Sequence, residues 1–163
     1  MGDVSGSTGP GGRVDILIIE DEDDIRAALE DILATEGYRT VAASDGAGGL
    51  ALLDRPEVPR FILLDLMMPK MDGWEFLMRI DDQPRLHRIP VALMSAHPSV
   101  RRAFDRHRTE ARPTRLLFPK PLNLLRLLAT VRHYCSADVP VEPDEAAWVT
   151  REAPTSKVGR LGT

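Results

Sequence analysis

Four apolar runs in the sequence each end in a polar residue that could bind or transfer a charged group. Glu20 and Asp21 follow the first of these runs, and Asp65 follows a later one. Ser95 and Lys120 follow the two others. Because an ionised group is costly to bury, we expect these residues at the open ends of strands, where neighbouring segments supply a compensating charge or a metal.

The three carboxylates predict a site for a hard divalent cation. Converging carboxylates repel, and each raises the pKa of its neighbours unless a cation lies between them. Mg²⁺ prefers oxygen ligands and keeps several waters, whereas zinc is not expected because the cluster contains no His or Cys. The predicted magnesium ligands are side-chain oxygens, some acting through water, and one main-chain carbonyl: Glu20, Asp21, Asp65 and Met67.

The remaining two residues, Lys120 and Ser95, favour phosphoryl chemistry at the same place. An ammonium can pair with an oxyanion, and a hydroxyl can donate a hydrogen bond to one. A carboxylate beside Mg²⁺, such as Asp65, can attack a phosphoryl group and hold it as an acyl phosphate, while the metal neutralises charge on the transferring oxygens.

These residues need a scaffold that brings strand ends together, and the apolar pattern predicts one. Five short apolar runs alternate with five segments of helical periodicity, which is typical of right-handed βαβ units and a parallel sheet with helices on both faces. In such a sheet the site lies at the carboxyl ends of the strands, where the strand order reverses. The predicted strands are 14–19, 38–43, 61–64, 91–94 and 116–118, and the predicted helices are 25–36, 47–53, 74–80, 99–107 and 124–135.

Several helical details also follow from the pattern. Gly37 is the expected stop of the first helix, whose acidic first turn suits the helix dipole, and Asp23 and Asp24 are expected to cap it. Asn123 is placed to cap the last helix. The third helix is expected to bury one side and the last helix one stripe, in order Trp74, Leu77 and Met78, and Leu124, Leu127, Leu128, Val131 and Cys135.

Composition and charge favour a cytoplasmic protein with one globular domain. The chain has 163 residues, 43% of them hydrophobic, which suits one domain or one domain with tails. The net charge of −4 gives no reason to expect nucleic-acid binding, and no apolar run is long enough for a membrane helix. The single cysteine, Cys135, cannot form an internal disulfide, which favours a reducing compartment.

The two ends of the chain differ in composition from its middle. Residues 1–12 are mostly Gly, Ser, Thr and Pro, which predicts a disordered lead, and residues 137–163 combine prolines with few apolar side chains, which predicts a flexible tail. Residues 13–136 are then the folded domain. A docked segment near Trp148 is the alternative for the tail.

Four motifs in order give the sequence a family resemblance. They are IIEDEDDIR at 18–26, LLDLMMPKMDGWEFL at 63–77, LMSAH at 93–97 and FPKP at 118–121. Each motif alone is weak, but all four at these distances resemble a response-regulator receiver domain, the phosphoacceptor module of two-component signalling. The resemblance covers about residues 13–135.

The resemblance implies a fold and a role for each site residue. It implies a flavodoxin-like (βα)5 sheet with strand order 2-1-3-4-5 and a cis peptide before Pro121. Asp65 would be the phosphoacceptor, and Ser95 and Lys120 the switch hydroxyl and the phosphoryl partner. The acidic pair and the metal-binding carbonyl would be Glu20, Asp21 and Met67.

The sequence departs from the family pattern in two places. Receivers usually carry Tyr or Phe three residues before the lysine, where this chain has Leu117, with Phe118 one residue later. The segment before the fifth strand usually has a Gly-Ala turn, and here it is the arginine-rich stretch 106–114. Both departures concern signal output rather than phosphoryl chemistry.

The resemblance implies a non-enzymatic switch. The expected protein is a stand-alone receiver, monomeric or weakly dimeric, that accepts a phosphoryl group from a sensor histidine kinase or a histidine phosphotransfer protein and then binds an unknown protein target differently. The rival is a degenerate receiver that works as a phosphorylation-independent interaction scaffold. A flavodoxin-like or phosphatase-like enzyme fits less well, because the first strand leads into acids and no second Asp follows Asp65 by two.

Overall fold

The computed structural model describes residues 13–107 and 115–136, in which five strands alternate with five helices. The strands are β1 (Ile16–Ile19), β2 (Thr40–Ala43), β3 (Phe61–Asp65), β4 (Val91–Ser95) and β5 (Arg115–Pro119). The helices are α1 (Asp23–Thr35), α2 (Gly46–Leu53), α3 (Gly73–Asp81), α4 (Val100–His107) and α5 (Leu124–Cys135). The element order is the predicted one, with bounds that differ by a few residues.

The five strands form one parallel sheet in the order β2-β1-β3-β4-β5, which confirms the predicted topology. The strand order reverses beside β1, since β2 lies on one side of it and β3 on the other. All residues of β1 to β4 are buried, which explains why these strands do not alternate between apolar and polar residues and are polar only at one end, at Thr40, Asp65 and Ser95.

Side chains from alternate strand positions pack into two separate cores, one on each face of the sheet. One core combines residues of α2, α3 and α4 with strand residues such as Leu17 and Leu64. The other combines α1 and α5 with neighbouring strand positions such as Ile18 and Leu63. Helices therefore cover both faces of the sheet, as predicted. The carboxyl ends of the strands are not covered by these helices and are where the site lies.

The helix ends follow the sequence signals in part. Gly37 takes the positive φ of 88° that follows the end of α1, and the Asn123 side chain accepts a hydrogen bond of 3.0 Å from the Arg126 N–H at the start of α5. The expected capping of α1 by Asp23 and Asp24 is wrong. The cap position is Glu22, whose side chain makes no capping bond, and Asp23 pairs with Arg26 instead.

Two predicted buried faces also need correction. Leu77 is buried as predicted, but Met78 is 60% exposed, and Phe76 and Ile80 share the buried side with Leu77 because their i, i+1, i+4 spacing keeps all three on one side of the helix. Leu124 is 42% exposed, because it lies at the first position of α5 before the helix reaches the core.

Residues 1–12 and 137–163, including Trp148, lie outside the described part of the chain, as does most of the arginine-rich stretch, residues 108–114. Among the residues that the structure describes, no helix has the length and apolar content needed to cross a bilayer.

Candidate functional site

The predicted site residues lie at the carboxyl ends of adjacent parallel strands. Asp65 and Ser95 are the last residues of β3 and β4, and Glu20 and Lys120 directly follow β1 and β5. The register pairs Asp65 with Met94, so Ser95 lies one residue further along the neighbouring strand. The site therefore lies at the carboxyl ends of the strands beside β1, where the strand order reverses, as expected for a doubly wound sheet.

The Lys120 ammonium connects the two most buried acids. Its Nζ atom lies 2.8 Å from Asp65 Oδ2 and 2.9 Å from Glu20 Oε2. Glu20 is fully buried and Asp65 is 3% exposed, so these are charge-assisted hydrogen bonds shielded from water. Lys120 thereby contacts two acids that precede it in the sequence by 100 and 55 residues, Glu20 and Asp65.

The net effect of burial and the neighbouring charges is to raise the pKa of both Glu20 and Lys120, for different reasons. Burial raises the pKa of Glu20 to about 7, helped by the negative charge of Asp65 and opposed by the hydrogen bond and charge of Lys120. Burial also disfavours the charged form of Lys120, but its hydrogen bonds to Asp65 and Glu20 outweigh burial and raise its pKa above the usual value. Lys120 is therefore a stable cation, and the raised pKa of Glu20 means that this carboxyl takes up a proton near neutral pH.

Asp21 completes an acidic cluster that suits a hard divalent ion. Carboxylate oxygens of Glu20, Asp21 and Asp65 all lie within 4.8 Å of one another. Three carboxylates face one ammonium, so two negative charges remain when all are ionised, which matches the charge of a divalent cation. The donors are oxygens, which Mg²⁺ prefers, and the half-buried Asp21 leaves room for water ligands.

The loop after β3 fixes the orientation of the Asp65 carboxylate. The Met67 N–H donates to Asp65 Oδ1 at 3.0 Å, and the Leu66 N–H donates to the main-chain oxygen of Met94. A Cβ on Gly73 would lie 2.7 Å from the main-chain oxygen of Asp65, so only glycine allows α3 to start this close to the strand end. The role of the Met67 carbonyl as a metal ligand stays a prediction.

Ser95 joins the site to the loop that precedes α4. Its buried hydroxyl accepts a hydrogen bond of 3.1 Å from the His97 N–H, and its main-chain oxygen accepts one of 2.8 Å from the Lys120 N–H. The peptide between Lys120 and Pro121 is cis, as the resemblance implied. Ser95 is thus bonded to Lys120 through its main chain and to the loop through its hydroxyl, and a serine hydroxyl that accepts from His97 still has its own proton to donate.

The sequence profile described as "Response regulator receiver domain" matches residues 16–132, which is most of the chain and includes every residue of the cluster. The chain belongs to the response regulator receiver family. Its fold is the flavodoxin-like fold expected of such a domain.

The matches to curated relatives cover different shares of those proteins' lengths. This receiver is 32% identical over 122 residues to the two-component response regulator ORR5 of rice, covering 74% of this chain and 90% of that protein. It is 31% identical over 128 residues to an uncharacterized 14.6 kDa protein of Leptolyngbya boryana, covering 78% of this chain and 95% of that one. It is 43% identical over 81 residues to the transcriptional regulatory protein AfsQ1 of Streptomyces coelicolor, covering 50% of this chain but only 34% of that protein.

Solved structures share the fold. The receiver domain of NtrX from Brucella abortus is 28% identical with a TM-score of 0.62, covering 76% of this chain and all of that one. The chemotaxis protein CheY4 of Vibrio cholerae, at 24% identity and a TM-score of 0.64, covers 76% of this chain and 99% of that one, which supports the fold alone.

The structure shows no aromatic ring in the place that receivers usually give to Tyr or Phe, where this chain has Leu117. Leu117 is half-buried against the core that contains Val100 and Phe104 of α4. Phe118 points to the other face of the sheet, where its ring is 1% exposed and lies 4.5 Å from the Arg126 guanidinium. Phe118 therefore cannot substitute for the usual aromatic residue, because successive residues of a strand face opposite sides.

Sequence reasoning missed one residue beside the site. Arg26 is 8% exposed, and its Nη1 atom donates a hydrogen bond of 2.8 Å to the main-chain oxygen of Glu20. The available signal was its register, since Arg26 stands three and seven residues before Leu29 and Leu33 and so falls on the buried face of α1.

Proposed function

We propose that this receiver is a phosphorylation switch in which Asp65 accepts a phosphoryl group from a histidine kinase or a histidine phosphotransfer protein in a reaction that requires Mg²⁺. The observation that carries the proposal is the contact of Lys120 Nζ with Asp65 Oδ2 at 2.8 Å, beside an acidic cluster that has two negative charges in excess once all three carboxylates are ionised. An acid that serves only to end a strand does not need this combination.

In the proposed step, an oxygen of Asp65 attacks the phosphorus atom, a new oxygen–phosphorus bond forms and the bond to the donor's leaving group breaks. Mg²⁺, when bound, would neutralise charge on the transferring oxygens, with Glu20, Asp21, Asp65 and the Met67 carbonyl as its proposed holders. Lys120 would exchange its contact with the Asp65 carboxylate for one with a phosphoryl oxygen. The receiver thus takes part in its own modification without turning over a separate substrate.

Ser95 is the proposed link from the modified site to a target. Its hydroxyl would donate to a phosphoryl oxygen, and the strand end and the His97 loop would follow because Ser95 is bonded to both His97 and Lys120. A target protein that binds one loop arrangement better than the other would then respond to the phosphoryl group.

The proposal extends to the organisation of the chain. We place the receiver at residues 13–136, with a lead at 1–12 and a tail at 137–163, supported by the family match to 16–132 and by the end of α5 at Cys135. That the receiver acts without an attached output domain is supported by its coverage of 90–95% of two relatives. A cytoplasmic location is supported by the free, buried thiol of Cys135.

The direct test is incubation with acetyl phosphate and Mg²⁺, followed by measurement of the intact mass. We expect one added phosphoryl group on the wild type and none on Asp65→Asn. Asp15→Asn is a matched control, because Asp15 precedes β1 at the opposite end of the sheet, and it should label normally. An unchanged wild-type mass, under conditions that label another receiver, would refute the proposal and favour the scaffold function.

A further inference from the structure

The acidic pair is carried by a short connection between β1 and α1. β1 ends at Ile19 and α1 begins at Asp23, so Glu20 and Asp21 lie where the chain changes from strand to helix. The Glu20 N–H donates to the main-chain oxygen of Ala43 in β2 at 3.1 Å, which fixes the strand side of the connection. The helix side needs a separate anchor.

Arg26 supplies that anchor from within the helix. Side chains in a helix lean toward its N-terminus, so the guanidinium of Arg26 extends back over the connection. Its Nη1 atom donates to the main-chain oxygen of Glu20 at 2.8 Å, and its Nη2 atom pairs with Asp23, whose side chain is 85% exposed. The buried contact is therefore the one with the main chain of Glu20.

This contact controls the orientation of both acids together. The carbonyl of Glu20 and the N–H of Asp21 belong to one planar peptide unit, so a bond that holds the carbonyl also sets the direction in which the next residue leaves. Glu20 and Asp21 are attached to the two ends of that unit. Because Arg26 bonds the main chain, the side-chain oxygens stay available to Lys120 and to a cation.

Core packing alone does not explain an arginine at this position. Arg26 shares the buried face of α1 with Leu29 and Leu33. A buried ion pair can often be replaced by apolar side chains of similar volume without loss of stability, and here the acid partner, Asp23, is 85% exposed and stays hydrated without Arg26. An apolar residue would fill the space but could not hold the Glu20 carbonyl.

We propose that Arg26 is a positioning residue for the acidic pair, and that the affinity of the site for Mg²⁺ and hence the rate of phosphorylation at Asp65 depend on its bond to the Glu20 carbonyl. The inference rests on the proposed Mg²⁺ site and, for the phosphorylation rate, also on the proposed acceptance of a phosphoryl group by Asp65. Partners of this kind, which orient metal ligands, typically contribute 10- to 100-fold to metal affinity.

Arg115 offers a matched control. Arg26 and Arg115 are the two buried arginines among the residues that the structure describes, at 8% and 6% exposure. Arg115 likewise bonds a main-chain oxygen, that of Ile89 at 3.0 Å, and a carboxylate, that of Asp81. It lies at the start of β5, at the opposite end of the sheet from the acidic pair.

The experiment measures Mg²⁺ binding to the full chain by calorimetric titration with MgCl₂, and the rate of labelling by acetyl phosphate at a series of Mg²⁺ concentrations. For Arg26→Met we expect a half-saturating Mg²⁺ concentration about tenfold higher or more. The labelling rate should fall strongly at low Mg²⁺ and much less at saturating Mg²⁺. Arg115→Met should stay within about twofold of the wild type in Mg²⁺ binding, even where urea unfolding shows an equal loss of stability.

The outcomes separate the inference from the proposed function. An Arg26→Met variant within twofold of the wild type, an equal weakening in Arg115→Met, or a wild type that binds no Mg²⁺ would overturn the role of Arg26. If the wild type binds Mg²⁺ in an Arg26-dependent way but is not labelled, the proposed function fails and the positioning role stands. Should Arg26→Met not fold, Arg26→Gln carries the same expectation, because its polar side chain is as long as that of Met and ends two bonds short of the guanidinium Nη1 atom that bonds the Glu20 carbonyl.

Discussion

The main-chain N–H of Lys120 donates a hydrogen bond of 2.8 Å to the main-chain oxygen of Ser95. Lys120, proposed to pair with the phosphoryl group, is therefore hydrogen-bonded to Ser95, proposed to respond to that group. The Ser95 hydroxyl in turn accepts from the N–H of His97, the second residue of the loop before α4. A displacement of this hydroxyl would therefore act on the loop through one hydrogen bond.

We predict that Ser95→Ala uncouples the loop from phosphorylation while Asp65 still accepts the phosphoryl group. Amide hydrogen exchange with and without beryllofluoride, a phosphoryl mimic, should show changes over residues 95–102 in the wild type that are reduced by half or more in the variant. Intact mass after acetyl phosphate treatment should still show labelling.

Thr130→Val is the control for the loss of a buried hydroxyl. Thr130 is 1% exposed, and its hydroxyl donates a hydrogen bond to the main-chain oxygen of Arg126 in α5, away from the loop. Its exchange response should match that of the wild type. Large changes centred on Leu117 and Phe118, with residues 95–106 unaffected, would show that the signal takes another route.

The strand ends could be predicted from the sequence because two kinds of information agree there. Asp65 terminates a run that must be buried on both faces, and a charge at that point is tolerated only at the open end of a strand. The same reasoning placed Glu20, Ser95 and Lys120 at one edge, and the parallel topology then brought them together. Periodicity and charge were sufficient because no side-chain contact had to be known.

Contacts that depend on three-dimensional packing were not predictable in this way. Arginine is mostly exposed in folded proteins, so the residue type does not mark Arg26 and Arg115 as buried, and no sequence pattern marks their partners, the main-chain oxygens of Glu20 and Ile89. The burial of Phe76 rather than Met78 depends on which side of α3 meets the sheet. Apolar content alone does not decide between adjacent positions.

We predict that Asp21→Asn raises stability in the absence of metal and removes the stabilisation by Mg²⁺. Asp21 is half-buried and lies within 4.8 Å of two buried carboxylates, so relief of repulsion is worth at least the value of about 1 kcal/mol that applies at this distance in bulk water. Mg²⁺ at ten times its dissociation constant would stabilise the wild type by about 1.4 kcal/mol. Urea unfolding with and without Mg²⁺ measures both effects.

Asp24→Asn is the matched control for this charge change, because Asp24 is an exposed acid in the first turn of α1. Its Mg²⁺-induced stabilisation should equal that of the wild type. Equal stabilisation in Asp21→Asn would count against the site.

We predict a pH dependence that originates at Glu20. Its pKa in the folded chain is about 7, above the ordinary value of 4.5, so the folded state binds more protons than the unfolded state between these values. The contribution of Glu20 to stability is therefore fully present below about pH 4.5 and is lost as the pH rises through about 7. In Mg²⁺-free buffer, wild type should lose about 3 kcal/mol relative to Glu20→Gln across this range.

The same shift affects metal binding in the opposite sense. A carboxylate must be deprotonated to face a cation, so the affinity of the wild type for Mg²⁺ should rise with pH up to about 7. Urea unfolding and Mg²⁺ titration at several pH values measure the two effects. Parallel pH profiles for wild type and Glu20→Gln would contradict the assignment.

The last prediction concerns Leu117, which stands where receivers usually have an aromatic ring. Leu117 is half-buried against the core that also contains Val100 and Phe104 of α4, but it offers no planar ring that changes orientation. A ligand shifts an equilibrium only through its different interactions with the two states, and a smaller repacking gives a smaller shift. Leu117→Ala should therefore leave labelling and the response of residues 95–102 intact.

Its main effect should be on stability. Because Leu117 is only half-buried, we expect a loss of about 1 to 2 kcal/mol, below the range of about 2 to 5 kcal/mol for a fully buried leucine. Phe118→Ala, on the opposite face and 1% exposed, should cost about 3 to 5 kcal/mol. Urea unfolding ranks the two variants, and beryllofluoride-induced exchange tests the signal. A Leu117→Ala variant that keeps its stability but loses the response of the loop would show that Leu117, despite its shape, transmits the signal.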